Sequence, residues 1–457
     1  MVFQNNVLSG GAGGSGTTTY AIGQSIRIND DDNAYLSRTL STASDGGKTY
    51  TWSWWQKLGS KINDSSIQYI IHTDLSGGNP ANYFYFNNDN FQFWGQPTGV
   101  YLRTDREFRD PSAWYHFVFV HDSTQAIASE RLRLYVNGIR ETSFSTENYP
   151  ALNSSGYFNT NTAHYIGGGT GTSNRLDAYM AEIHFLDGLG YDPSFFGEFN
   201  SSGIWIPKEY TGSYGSNGFK IDGRDASNLG DDESGNGNDF TSNNLAASDQ
   251  VLDSPTNNWC VMNPLNGDGG TTWKNGNLEL STANQGNNAS TIFMTTGKWY
   301  WEAKGQGYAG GVCSIDRGAY NSGMTPSGSD SIGYYSNGTV YWGGGSDSTP
   351  ASYTSSDIIG VAVNMDDGEI SFYKNNTLQV TLTFASTVSS LATDGCYAVV
   401  NNGTSSTTYV FYLNFGQDGT FAGTETAQGN SDGNGVGNFY YAPPTGYLAL
   451  CTKNLGS

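Results

Sequence analysis

Glu182 and Asp187 are the nearest thing to an acid pair in this 457-residue chain. Glycoside hydrolysis needs two carboxyl groups flanking one bond, about 5 to 9 Å apart. These two lie in the run Glu-Ile-His-Phe-Leu-Asp, which alternates as a strand does. On an unbroken strand, positions five apart face opposite sides. The expectation is a closing strand with an exposed acid, not a catalytic pair. Nucleophilic chemistry is no better supported. His72, His116, His121, His164 and His184 all precede Cys260, Cys313, Cys396 and Cys451, so the two residue types fall in different parts of the chain. There is no Gly-x-Ser-x-Gly elbow, and no glycine-rich loop sits between a strand and a helix to cradle phosphate. No Cys-x-x-Cys pair suggests zinc. Cys313 and Cys396 lie in apolar runs and read as buried thiols.

Recognition chemistry has more material. Aromatic rings near turns, beside Asn, Asp and Gly, are what a sugar site needs. Trp94, Tyr101, Tyr341 and Trp342 meet that description. Most of the 11 tryptophans are nonetheless expected in cores, because each buries a large apolar area. Two acidic turns, Asp30-Asp31-Asp32 and Asp231-Asp232-Glu233, carry clustered carboxylates without the spacing of an EF-hand loop.

The elements that must position these groups are strands. Tyr, Phe and Trp make up 14% of the chain and Gly, Asn and Ser punctuate it, which favours an all-β fold over disorder. Trp114, His116, Val118 and Val120 alternate with Tyr115, Phe117 and Phe119, so both faces of that strand are apolar, as in a buried central strand. Leu132, Leu134 and Val136 follow with a polar opposite face, and Asn137-Gly138 supplies a tight hairpin turn. In residues 50–57, Trp52, Trp54 and Gln56 share one face while Ser53 and Trp55 share the other. No helix longer than a turn or two is expected.

Length implies more than one domain. The divisions read as a flexible arm, 1–19; a first sandwich, 20–193; a Gly/Asn/Asp-rich bridge packed at the domain junction, 194–257; a second sandwich, 258–416; and a Gly-rich tail with a C-terminal strand, 417–457. The arm carries a small apolar patch, Val2, Phe3, Val7 and Leu8, ahead of a Gly/Ser linker. It reads either as a frayed terminus or as an anchor. The net charge of −21 argues against nucleic acid as a partner and against anionic membranes. No apolar run is long enough to span a bilayer, and the start has neither the basic nor the apolar region of a secretory signal.

The pattern W-Y-H-x-x-x-x-x-D…L-x-L-Y-V-N-G, from Trp114 to Gly138, resembles the hairpin of laminin-G/concanavalin A-like domains. The Ile166-Gly167 strand end and the closing strand with Met180 and Ile183 follow in that family's order. Further on, G-K-W-Y-W-E at 297–302 resembles the SPRY sandwich. So does D-x-I-G-V…G-x-I-x-F-Y-x-N, from Asp357 to Asn375. The resemblance implies two concanavalin-like (jelly-roll) β-sandwiches in tandem with an extended N-terminal arm. Some such domains bind calcium through loop oxygens, which would make Asp30, Asp31, Asp32, Asp231 and Asp232 its ligands; no other cofactor is implied. Others are hydrolases with an E-x-D-x-(x)-E strand, and this chain departs from that pattern at His184 and Asp187.

The whole succession resembles structural proteins of tailed, marine or cyanophage-like bacteriophages. It runs from F-Q-N-N-V-L and a glycine arm to the first sandwich, then W-I-P-K-E-Y-T-G-S-Y-G-S-N-G-F, L-G-D-D-E-S-G-N-G-N-D-F, D-S-P-T-N-N-W and the SPRY-like domain. That implies a non-enzymatic virion protein, a tail or fibre appendage or a capsid decoration, made in the host cytoplasm and displayed on the particle. Its partners would be other virion proteins through the arm and a host-surface glycan or protein. A homo-oligomer, with a trimer as one form, is expected. The competing readings are a bacterial carbohydrate-binding adhesin and a glycan-cleaving depolymerase.

Overall fold

The computed structural model describes residues 20–457 apart from 44, 64, 76–78, 96–98, 157, 170–173, 268, 284–285, 315–329, 405–406 and 456–457. The arm residues Val2, Phe3, Val7 and Leu8 therefore lie outside the described residues. Among the described residues the chain is all-β, and its one α-helix is the short Ser390–Asp394. It divides into two compact units, 1–257 and 258–457.

The first unit is built on two antiparallel sheets. One has the order Ile139–Arg140, Leu132–Val136, Trp114–Asp122, Thr49–Leu58, Ala178–Asp187, Ser25–Ile28, Gln250–Val251, with Phe219–Ile221 also paired to Ala178–Asp187. The other runs Phe144–Asn148, Val100–Glu107, Asn90–Gly95, Asn79–Asn87, Gln68–Leu75, Ala163–Ile166, Tyr35–Thr39, Thr241–Asn243. Alternate residues of both sheets meet in one core that includes Trp52, Trp54, Phe84, Phe91, Phe93, Phe117 and Phe119. Phe84 packs against Trp52, Trp54, Phe91, Phe119 and Phe158. Truncating such a ring to Ala costs about 3–5 kcal/mol, because its contacts are lost and a cavity remains. Asn137 (φ 48°) and Gly138 (φ 78°) make the hairpin turn with both residues left-handed, matching the twist of the strands they join.

Residues 194–257 explain why the Trp114–Asp122 strand is apolar on both faces. Phe196, Tyr210 and Tyr214 pack on Val118, Val120 and Leu186, on the side of the sheet away from the core. Trp205 packs near Trp55, Trp114 and Tyr179 on the same side. The strands Phe219–Ile221 and Gln250–Val251 extend one sheet of the sandwich, and Thr241–Asn243 extends the other.

The closing strand Ala178–Asp187 is not the unbroken strand assumed from sequence. Its register against Thr49–Leu58 shifts between Ala181 and His184, and Glu182 sits at φ 46°. That is a β-bulge with a non-glycine residue in the left-handed region, a conformation that persists only where the surroundings over-determine it.

The second unit has a sheet ordered Thr272–Lys274, Glu279–Thr282, Tyr409–Asn414, Lys298–Lys304, Ile358–Asn364, Glu369–Lys374, Thr377–Thr383, with Leu448–Ala449 parallel to Lys298–Lys304. A six-stranded sheet follows the order Asn287–Met294, Cys396–Asn401, Tyr308–Cys313, Ser331–Tyr335, Thr339–Trp342, Gly345–Asp347. Glu302, fully buried, ties the segment at Tyr440 and Tyr441 to the sheet: its carboxyl oxygens accept the Tyr440 and Tyr441 amides at 2.8 and 2.7 Å and the Asn414 side chain at 3.1 Å. Cys313 and Cys396 are buried free thiols.

Candidate functional site

The strand Asn79–Asn87 reads Asn-Pro-Ala-Asn-Tyr-Phe-Tyr-Phe-Asn. Period two sends Phe84 and Phe86 into the core and leaves Tyr83 and Tyr85 on the opposite face. The neighbouring strands do the same, and their registers bring the outward residues into line. Ser37, Tyr165, His72, Tyr83, Trp94, Tyr101 and Asn148 are consecutive cross-strand partners over seven strands. A second line, Tyr69, Tyr85, Gln92 and Arg103, runs alongside.

The rings touch along this face. Tyr165 stacks on His72 (centroids 4.9 Å, 18°) and Tyr83 on Trp94 (5.1 Å, 24°). Tyr69 lies against both His72 and Tyr83 at 5.3 and 5.2 Å. Such pairs each contribute about 0.5–1.5 kcal/mol beyond their burial. Tyr35, Tyr69, Tyr83, Trp94, Tyr101, Arg103 and Tyr165 are half-buried, so this face is not sealed as the core is. The Tyr101 hydroxyl donates to Gln92. His72 is fully buried at the centre, 3.6 Å from Asp74, and neither ring nitrogen has a hydrogen-bond partner among the described residues. Burial, with His164 nearby, pushes its pKa down to about 3, so the imidazole is neutral.

The structure thus sets Trp94 directly opposite Tyr101. It does not bring Tyr341 and Trp342 together, because neighbours on one strand point to opposite faces. Tyr341 lies against Tyr308 and Tyr335 at 6.0 and 6.3 Å, while Trp342 is the next residue of Thr339–Trp342. Sequence does not single out Tyr83, Tyr165, Tyr69 and Tyr85, and it offers His72 only among the histidines weighed for catalysis. The Tyr/Phe alternation of residues 83–86 was the available signal.

The acidic turns engage partners of their own. Asp30 pairs with Lys61 at 2.6 Å, and Asp32 accepts the Asn29 side chain at 2.7 Å. Asp232 accepts four donors: the Lys220, Ser234 and Asn238 amides at 2.9, 2.9 and 2.8 Å and the Ser234 hydroxyl at 2.9 Å. Asp231 is half-buried, its backbone amide bonded to Asn228. A calcium site needs six to eight oxygens converging on one point. Among the described residues no group of three or more His, Cys, Asp or Glu side chains is placed to hold a metal ion.

The groups with catalytic potential are also committed. His116 Nδ1 accepts the Trp205 indole N–H at 3.0 Å, and His116 Nε2 lies 2.9 Å from Ser53 Oγ. An indole only donates, so the neutral imidazole carries its proton on Nε2 and gives it to Ser53. Burial, with His184 nearby, pushes the His116 pKa down to about 3. That tautomer cannot take a proton from Ser53. The buried Glu182 accepts the Tyr20 hydroxyl, faces Lys220 Nζ at 2.9 Å and faces His184 Nε2 at 3.3 Å. Burial pushes its pKa up, but His184, Lys220 and Tyr20 outweigh that and hold it at about 2. Asp187 accepts Asn159 and the Asn217 amide instead.

Two family models match the chain. The concanavalin A-like lectin/glucanases superfamily matches residues 30–189, and the SPRY domain matches residues 298–414. Residues 30–189, in the first unit, are thus similar to concanavalin A-like domains, and residues 298–414, in the second, to SPRY domains. No curated protein matched. Among solved structures, the SPRY domain of human HERC1 is 18% identical, covering 33% of this chain and 96% of that one, with a TM-score of 0.28. The TRIM65 PSpry domain is 12% identical over 34% of this chain and 88% of that one, TM-score 0.27. A SAP-like pentraxin from Limulus polyphemus is 17% identical over 37% of this chain and 78% of that one, TM-score 0.27.

Proposed function

We propose that this chain is a non-catalytic adhesive structural protein that holds a host-surface glycan on the tyrosine-rich outer face of its first sandwich. The observation that carries the reading is the line from Tyr165 to Tyr101, where four half-buried rings, Tyr165, Tyr83, Trp94 and Tyr101, and the buried His72 come from five adjacent strands and share one face. Tyr and Trp offer large rigid contacts with a polar tip at low entropic cost, which suits a ligand of apolar ring faces edged by hydroxyls. The similarity of the same residues, 30–189, to the concanavalin A-like lectin/glucanases superfamily supports a carbohydrate ligand. The committed His116 and Glu182 support binding without turnover.

The likeness of the whole motif succession to tailed-phage structural proteins supports a place on a virion, as a tail or fibre appendage or a capsid decoration. Residues 1–19 would then dock on a neighbouring virion protein, and the net charge of −21 keeps the displayed surface away from nucleic acid. Two measurements test the proposal. Binding of the full chain to a glycan array, with Trp94→Ala as control, is expected to show signal lost in the variant; a depolymerase would instead release sugar in a turnover assay. Deleting residues 1–19 is expected to abolish incorporation into particles, and full incorporation without them would remove the anchor.

A further inference from the structure

The aromatic line has a direction and a length, and both constrain its ligand. Tyr165, His72, Tyr83, Trp94 and Tyr101 occupy five successive strands in direct register. Neighbouring strands lie about 4.8 Å apart, so the five rings extend over about 19 Å, roughly the length of four linked sugar rings. Polar residues prolong the line at both ends, Ser37 beyond Tyr165 and Asn148 beyond Tyr101. A site for a terminal sugar gathers its polar groups around one point in a concave pocket. Here the groups are spread along a line perpendicular to the strands.

The second line sharpens the point. Tyr85, Gln92 and Arg103 follow the first line two residues along each strand, on the same face. Of these, the half-buried Arg103 offers a guanidinium beside the rings, while the buried Gln92 donates to Asn87 and accepts the Tyr101 hydroxyl, fixing that ring in the line.

Resting on the glycan reading of this face, we infer that the ligand is an internal stretch of a linear polysaccharide, lying across the strands and touching several successive sugars at once. Each sugar then adds a modest contact, and affinity grows with chain length until the line is filled.

The test is a length series. The full chain is measured by array and calorimetry against linear oligosaccharides of increasing length for each backbone present on the array. Affinity is expected to rise at least about tenfold between two and five sugars and then level off. Tyr165→Ala and Tyr101→Ala, at opposite ends, are each expected to weaken a five-sugar ligand about tenfold while changing a two-sugar ligand less than about twofold. The wild-type series decides the matter even if a variant misfolds. A disaccharide bound as tightly as a pentasaccharide would overturn the polymer inference and leave the glycan reading standing. Binding to no glycan of any length would remove both.

Discussion

Trp205 donates its indole N–H to Nδ1 of His116 at 3.0 Å, and the two rings lie nearly parallel at 21°. This one bond sets the imidazole tautomer and ties the segment after residue 194 to the sheet beneath it. Trp205→Phe keeps the ring and removes the donor, leaving a buried nitrogen unsatisfied. The expected loss is about 1–3 kcal/mol of stability in chemical denaturation. An unchanged midpoint would show that the bond does not hold the segment down.

Trp94 and Tyr101 stand opposite each other on the proposed binding face. Trp94→Ala is expected to weaken glycan binding by about 1–3 kcal/mol, and to cost at least about 0.5–1.5 kcal/mol of stability through the lost stack on Tyr83, so binding is compared at a temperature where both proteins are folded. Tyr341→Ala, in the second unit, is the control and should leave that binding unchanged.

The histidines make the first unit acid-sensitive. His72 and His116 are held at about 3, and His121 and His164 at about 4, in each case by burial. A folded-state pKa below the ordinary 6.5 means that the unfolded chain binds protons first as pH falls. Stability is therefore full above pH 6.5 and declines below it, by up to about 1.4 kcal/mol per pH unit per imidazole. Melting curves from pH 8 to 4 should show the decline beginning near 6.5.

Glu302 acts with the opposite sign. Burial raises its pKa from 4.5 to about 7, against the pull of the Tyr441 and Tyr440 amides, Asn414 and Tyr300. The unfolded chain loses this proton first, so the second unit is expected to weaken as pH rises from about 4.5 to 7 and to level off above. Glu302→Gln should flatten that dependence in hydrogen exchange of the Tyr440 and Tyr441 amides. A slope that survives the substitution would assign it to another group.

Asp232 meets four donors within its own segment. Asp232→Ala orphans the three amides and is expected to cost about 2–4 kcal/mol. A chelator should leave the wild-type melting curve in place, since the turn closes on amides.

The alternation of Trp52 and Trp54 with Ser53 and Trp55, and the Asn137-Gly138 turn, were legible from the chain alone. Period-two patterning and left-handed turn residues are local properties, and they sufficed for an all-β fold and its hairpins. Even Trp94 and Tyr101 could be picked out singly. What no local pattern carries is register between strands far apart in the chain. Tyr165 meets His72 and Tyr83 meets Trp94 only because seven strands from residues 35 to 148 and 163 to 166 pair in one alignment. Nor did the sequence announce the bulge at Glu182, where an ordinary residue adopts a positive φ under an ion pair with Lys220. The second apolar face of the Trp114–Asp122 strand was visible; its cover of Phe196, Tyr210 and Tyr214 was not. Sequence determines which face of each strand is apolar. Only the tertiary structure decides what lies against it, because that depends on contacts whose formation spans the whole chain.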